Sequence, residues 1–179
     1  MAESDGDLVR LAKFGDRRAF STLVDRHWEP LRRWLCLLSG HATSADDVTQ
    51  DAFLQAWSSL HQLADTERFR SWLYRIARNL LFDRQRDARG RQQKELADVA
   101  DTGTDPLSDV LEREGNEQLQ AALQRLPSHY REVYLLWTRD DWPYHQIAEV
   151  LEISEETARW RVCVARQLLV KELKAYLST

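Results

Sequence analysis

Phe69 to Arg91 reads FRSWLYRIARNLLFDRQRDARGR. Trp72, Leu73, Ile76 and Leu80 recur at helical spacing, which predicts an α-helix beginning near Glu67 with those side chains turned toward a core. Counting Arg68, the segment carries eight arginines (Arg68, Arg70, Arg75, Arg78, Arg84, Arg86, Arg89, Arg91) against Asp83 and Asp87 alone, in a chain of net charge -4. Asp83 is expected to pair with a neighbouring arginine. Phe69, Trp72, Tyr74 and Phe82 lie among the cations. Guanidinium groups neutralise phosphate, and an aromatic ring offers an unstacked base a new surface. The pattern points to single-stranded or partly opened nucleic acid. A helix whose guanidinium groups were tied to internal carboxylates would count against that reading.

The bulk composition supports a helical protein. The 179 residues allow one domain or two small ones, and 43% hydrophobic content is enough for packed cores. Six glycines and four prolines are few, while Ala, Leu, Arg, Gln and Glu dominate. Cys36 and Cys163 belong to no CxxC pair, which predicts reduced thiols and a cytoplasmic setting. The N-terminus is too polar for a signal peptide, and no apolar run approaches the about 18 residues of a membrane span. A mildly acidic balance predicts local nucleic-acid contacts, with other surfaces meeting a basic protein.

N-terminal to the arginine-rich segment, Asp7–Phe14 and Arg18–Leu38 carry apolar residues at helical spacing, including Phe20, Leu23, His27, Leu31, Trp34 and Leu35. Ser44-Ala45-Asp46-Asp47 reads as a helix start with Ser44 as the cap. The helix that follows places Val48, Ala52, Phe53, Ala56, Trp57 and Leu60 on one stripe. C-terminal to it, Gln92 to Gly115 is acidic, holding Glu95, Asp98, Asp101, Asp105, Asp109, Glu112 and Glu114 around a helix-breaking TGTDP. This reads as a solvated linker, or as a tether threaded through a basic channel of a partner. Either makes it a domain boundary. The organisation is therefore all-α: a first domain over 1–91, an acidic flexible linker over 92–115 and a second domain over 116–179.

In the second domain Leu119, Ala122, Leu123 and Leu126 end at Pro127, and Tyr130, Val133, Tyr134, Leu136 and Trp137 form another stripe. Tyr144–Leu151 reads as a short helix, Glu152-Ile153-Ser154 as a tight turn, and Glu155 to about Tyr176 as a longer helix capped by Ser154. Ala158, Val162, Ala165 and Leu169 should pack inward. Glu156, Arg159, Trp160 and Cys163 then face outward at the end of a helix that enters a major groove, with Arg166 one turn further. Glu152 stands where a glycine would be most comfortable.

These segments together resemble an extracytoplasmic-function sigma factor, the minimal two-domain form of the sigma-70 family. The resemblance runs from DLVRLAKFGDRRAFSTLVDRH through SADDVTQDAFLQAW, FRSWLYRIARNLLFDRQR and LPSHYREVYLL to YHQIAEVLEISEETARWRVCVARQLL, in the family's order. It implies a promoter-specificity subunit that binds core RNA polymerase through the β′ clamp helices and the β flap. SADDVTQDAFLQAW resembles region 2.2, so Asp46, Asp47, Gln50 and Asp51 are implied to face the polymerase, with Phe53 and Trp57 holding the helix to its own domain. FRSWLYRIARNLLFDRQR resembles regions 2.3 and 2.4, which open and read the −10 element. Arg68, Arg70, Arg75, Arg78, Asn79 and Arg84 are the implied DNA contacts, and a flipped base is implied near His61–Phe69. The C-terminal pair of helices resembles region 4.2, the −35 reader, which assigns Glu156, Arg159, Trp160, Cys163 and Arg166 to DNA. Pro143 replaces a usual Ser or Thr cap there, and Trp160 replaces a small residue. The −35 base preference therefore does not carry over, and Trp160 contacts DNA or is buried against another surface.

The resemblance implies no cofactor, no metal and no catalytic residue. Its implied partners are core polymerase, promoter DNA and, in many members, an anti-sigma factor, without membrane insertion of this chain. An alternative from the residues alone is a stand-alone helix-turn-helix regulator with an N-terminal sensing or dimerisation domain. An enzyme finds little support, since His27, His41, His61, His129 and His145 show no metal-ligand spacing and no phosphate loop or HExxH motif occurs.

Overall fold

The structure, a computed structural model, describes residues 3–92, 117–139 and 142–177. The expected linker therefore lies, apart from Gln92, outside the described residues. No strand occurs among them. The chain forms α1 (Asp5–Lys13), α2 (Arg17–Ser39), α3 (Ala42–Ser59), two 3-10 turns (Leu60–Gln62 and Thr66–Arg68) and α4 (Phe69–Gln92). After the linker come α5 (Glu117–Arg125), α6 (Ser128–Arg139), α7 (Tyr144–Leu151) and α8 (Glu155–Leu177).

Local chemistry sets most boundaries. Ser4 and Asp7 form a reciprocal capping box at the start of α1. Asp16 caps α2 by accepting from the Arg18 and Ala19 N–H groups. Gly40 ends α2 with φ 79°, where the absence of a Cβ makes the left-handed turn free of strain. The expected cap at Ser44 is not found. Helix α3 begins three residues earlier, with His41 at the N-cap position and no side-chain cap bond, and Ser44 is already inside the first turn. Asp46 and Asp47 still lie near the positive end of the helix.

Helix α2 supplies the spine of the first domain, burying Leu23, His27, Leu31, Trp34, Leu35 and Leu38 against α1, α3 and α4. Asp5 on α1 reaches His27 on α2, with Oδ2 2.6 Å from Nε2, and pairs through its other oxygen with Arg26. The His27 hydrogen bond is the main cause that holds the Asp5 carboxyl down at about 2. In the second domain α6 and α8 pack against each other and α7 closes the third side. Cys36 is buried and Cys163 exposed, and neither is in a disulfide.

The two domains also pack on one another. Helix α7 lies against α4, and α6 lies against the C-terminal end of α2. Trp142, just before α7, is buried with its ring 4.8 Å from that of Tyr74 on α4. Arg131 on α6 donates to the Leu38 carbonyl at 3.0 Å, and Gln124 on α5 donates to the Leu37 carbonyl at 2.9 Å. The last carbonyls of α2, which have no partner within their own helix, are thus satisfied from the second domain.

Candidate nucleic-acid and docking surfaces

The start of α4 is built by a turn that positions cations. Asp65 accepts from the Glu67 N–H at 3.0 Å and from the Arg68 Nε at 3.1 Å, which fixes the Thr66–Arg68 turn. A cavity of about 540 Å³ opens beside it, lined by Leu63, Asp65, Arg68, Ser71, Trp72 and Arg75. An indole face, two guanidinium groups and a hydroxyl surround this space, a combination that can stack a planar ring and pair with an anion. It lies at the loop where the resemblance implies a flipped base, near His61–Phe69.

The aromatic residues divide. Phe69 and Tyr74 are fully buried, Phe69 against His27 and Tyr74 against Trp34, so neither can receive a base. Their place is dictated by helical spacing: Phe69, Leu73, Ala77 and Leu81 recur every four residues along the buried face of α4. Trp72 and Phe82 are partly exposed and remain available. Trp72, expected in the core, instead packs partly against it and partly toward the cavity.

The cations differ in their engagement. Arg75 faces the cavity, and Asn79 is exposed. Arg84 pairs with Asp51 and lies 3.9 Å from Asp47, joining two groups expected on separate surfaces. Asp83 pairs with Arg86 as expected. Three arginines meet the second domain. Arg68 pairs with Glu149 of α7, the Arg70 guanidinium sits 4.1 Å above the Trp142 ring, and Arg78 Nε lies 2.6 Å from Glu132 of α6. Glu132 is 3% exposed, and burial pushes its carboxyl above the usual range while Arg78 opposes the shift. At Arg78, then, a guanidinium is tied to an internal carboxylate, but one contributed by the other domain.

On α3, Asp46, Asp47 and Gln50 are exposed and Asp51 is half-buried. Phe53 is buried, stacked on Trp28, whereas Trp57 is 38% exposed and packs on Phe20. Leu54, 61% exposed, projects from the same face as Asp47, Gln50 and Asp51 and escaped the sequence reading. The signal was present: positions 47, 50, 51, 54, 57 and 58 share a face, and Leu54 interrupts its polarity.

In the second domain Ile147, Ala148 and Leu151 of α7 are buried, and Glu152 turns the chain at φ 54°, ψ 44°. The Ser154 hydroxyl accepts from the Thr157 N–H at 3.1 Å, capping α8. Ala158, Val162, Ala165 and Leu169 are buried, and Glu156, Arg159, Trp160, Cys163 and Arg166 are exposed. Trp160 is 57% exposed, edge-on to Tyr130, and is not buried against the first domain. Arg159 pairs with Glu155 and lies over Tyr144, while Arg166 lies over Trp137. Among the described residues no group of three His, Cys, Asp or Glu is arranged to hold a metal, and no helix is long and apolar enough to cross a membrane.

The family model for Sigma-70 region 2 matches residues 23–91, and that for Sigma-70 region 4 matches residues 116–169. The chain is 29% identical over 178 residues to the ECF RNA polymerase sigma factor SigW of Bacillus subtilis strain 168, covering 93% of this chain and 95% of that one. It is 33% identical over 177 residues to the ECF RNA polymerase sigma factor SigM of Mycobacterium tuberculosis strain H37Rv, covering 98% and 87%. Its structure is similar to that of CnrH solved in complex with the cytosolic domain of CnrY, with a TM-score of 0.76 at 28% identity over 97% of this chain and 99% of that one. The fold is also that of RpoE from Bartonella quintana, solved with the anti-sigma factor NepR, at a TM-score of 0.71 and 23% identity over 87% and 96%. The N-terminal block thus matches region 2, which disfavours the reading of that block as a sensing domain.

Proposed function

This chain belongs to the sigma-70 family, in its extracytoplasmic-function group, and we propose that it is a promoter-specificity subunit which binds core RNA polymerase and directs initiation at promoters with −35 and −10 elements. It works where polymerase does, in the cytoplasm, and supplies binding energy rather than a chemical step. The observation that carries this reading is the pairing, in one chain, of a cation- and indole-lined cavity at the head of α4 with an exposed helix-turn-helix face on α8.

We assign residues 1–91 to polymerase docking, −10 recognition and strand opening, 92–115 to an acidic flexible linker, and 116–179 to −35 recognition. Asp46, Asp47, Gln50 and Asp51 form the docking face, to which we add Leu54. Exposed acids steer a basic partner helix, and an apolar side chain among them supplies desolvation energy once contact is made. Arg68, Arg70, Arg75, Arg78, Asn79 and Arg84 hold the opened strand. Unstacking a base costs a few kcal/mol, which stacking on Trp72 and ion pairing with Arg75 offset. Glu156, Arg159, Trp160, Cys163 and Arg166 meet the −35 element. The indole adds apolar contact suited to thymine methyls and reduces the charge of the reading face. Two tethered DNA readers and a polymerase dock act together through effective concentration. A protein partner of the anti-sigma kind is a natural regulator, given the likeness in fold to the sigma factor RpoE of Bartonella quintana, which was solved with the anti-sigma factor NepR.

The test is run-off transcription with core polymerase on templates carrying randomised −35 and −10 sequences. Initiation confined to a subset of templates is expected. No sequence-selective initiation from any template refutes the function.

A further inference from the structure

Three of the residues assigned to −35 reading are held by rings from other helices. The Trp160 indole meets Tyr130 of α6 edge-on, with ring centroids 6.1 Å apart and planes at 61°. The Arg159 guanidinium lies 5.4 Å from the centroid of the Tyr144 ring on α7. That of Arg166 lies 5.4 Å from the Trp137 ring on α6. Tyr130, Trp137 and Tyr144 are each partly buried and packed against the core, so the fold fixes where they stand. Tyr130 has a further ring neighbour in His129, whose centroid is 4.1 Å away. Trp160, Arg159 and Arg166 are themselves exposed. Each outward group of α8 therefore rests on an inner ring that another helix supplies.

The three groups differ in what they can read. Arg159 is already paired with Glu155, which offsets part of its charge. The Trp160 indole carries no charge and offers an apolar face, so a thymine methyl is the base feature it suits best. An indole standing alone on a helix surface samples several staggered rotamers, and ordering one of them on binding costs affinity. An edge-to-face partner removes that freedom before DNA arrives. We propose that Tyr130 is a positioning residue for promoter specificity, holding the Trp160 indole in the orientation that meets a thymine methyl of the −35 element. The inference rests on the assignment of α8 to −35 reading. It places a determinant of base preference on α6, outside the reading helix, where it acts through the indole rather than on a base.

The experiment uses holoenzyme assembled from the full chain and core polymerase, on duplex promoters that initiate in the randomised-template assay. Each promoter is made twice, with thymine or with uracil throughout the −35 element, which removes the methyl groups and nothing else. The readout is the ratio of the two promoter affinities. Wild type should favour thymine about fourfold, the worth of one buried methyl group. Tyr130→Leu, which fills the site on α6 without a ring, should bring the ratio near one. Trp160→Ala should do the same, and the double variant should lose no more than either single change, because both remove one contact. Tyr130→Phe keeps the ring and should keep the wild-type ratio. A purely structural role for Tyr130 would weaken binding to both promoters alike and leave the ratio where it was. A wild-type ratio of one, a wild-type ratio in Tyr130→Leu or Trp160→Ala, or loss of the ratio in Tyr130→Phe overturns the positioning role. Selective initiation with an unmoved ratio refutes that role alone, whereas no selective initiation by the wild type refutes the function on which it rests.

Discussion

Glu152 holds φ 54° and ψ 44° at the hinge between α7 and α8, where a Cβ crowds the following carbonyl. Nothing in the docking or DNA-reading surfaces uses its side chain, so the strain is local. Glu152→Gly should stabilise the protein by about 1 kcal/mol and raise Tm by about 2–4 °C. A Tm equal to or below wild type in calorimetry would show that the turn is relaxed. Asp5 poses a second question, about pH. Its carboxyl titrates at about 2 in the folded protein against 3.8 ordinarily, first because of the His27 hydrogen bond. A depressed carboxyl contributes stability that is complete above pH 3.8 and is lost as pH falls toward 2. Asp5→Asn should therefore lower stability relative to wild type at neutral pH, with the two curves converging between about pH 4 and pH 2. Parallel curves across that window would remove the pair as a source of acid sensitivity.

Helices α7 and α8 illustrate what periodicity can deliver. The bounds of α7, the tight turn over Glu152-Ile153-Ser154, the cap at Ser154 and the inward set Ala158, Val162, Ala165 and Leu169 were all legible, because each depends on neighbours a few residues away. Helix α3 shows where local signals mislead. Ser44 carries a good capping side chain, yet the turn after Gly40 delivers the chain into helix at Ala42, before Ser44 is reached. Phe69 and Tyr74 misled for a related reason, since a composition of rings and cations says nothing about which rings face inward. The face of α3 also held Leu54 unread, because a single exposed leucine is unremarkable until its neighbours have a proposed partner. That helix offers a direct test. Charge reversal at Asp47 or Asp51 would also break the Arg84 pairs, whereas Leu54 is exposed and its loss disturbs no core. Leu54→Asp should weaken association with core polymerase by at least about tenfold while leaving Tm within about 2 °C of wild type. Co-purification at wild-type levels would take Leu54 out of the docking face.

Across the whole molecule, the contacts that no local pattern announces are those between domains. Arg78 and Glu132, Arg68 and Glu149, and Arg131 and Leu38 lie far apart in sequence, and each is a common residue whose partner is set by how the domains meet. Arg131 is the strongest structural tie among them. One terminal nitrogen donates to the Leu38 carbonyl and to Gln124, and the other to the carbonyls of Gln124 and Leu126, so a single guanidinium joins the ends of α2, α5 and the α5–α6 turn. Burial pushes its pKa down, which marks the cost of holding a cation there and the reliance on those four acceptors to offset it. Arg131→Ala leaves the Leu38 carbonyl at the end of α2 without its donor, a loss of about 1–3 kcal/mol for a desolvated acceptor. Because that donor comes from the second domain, the loss falls on the coupling between domains as well as on each fold. Calorimetry of the wild type should give one cooperative transition. The variant should unfold about 4–8 °C lower, with the first domain's transition beginning to separate from the second. A variant that unfolds in one transition at the wild-type temperature would mean that α2 ends equally well in water and that the two domains are held together elsewhere.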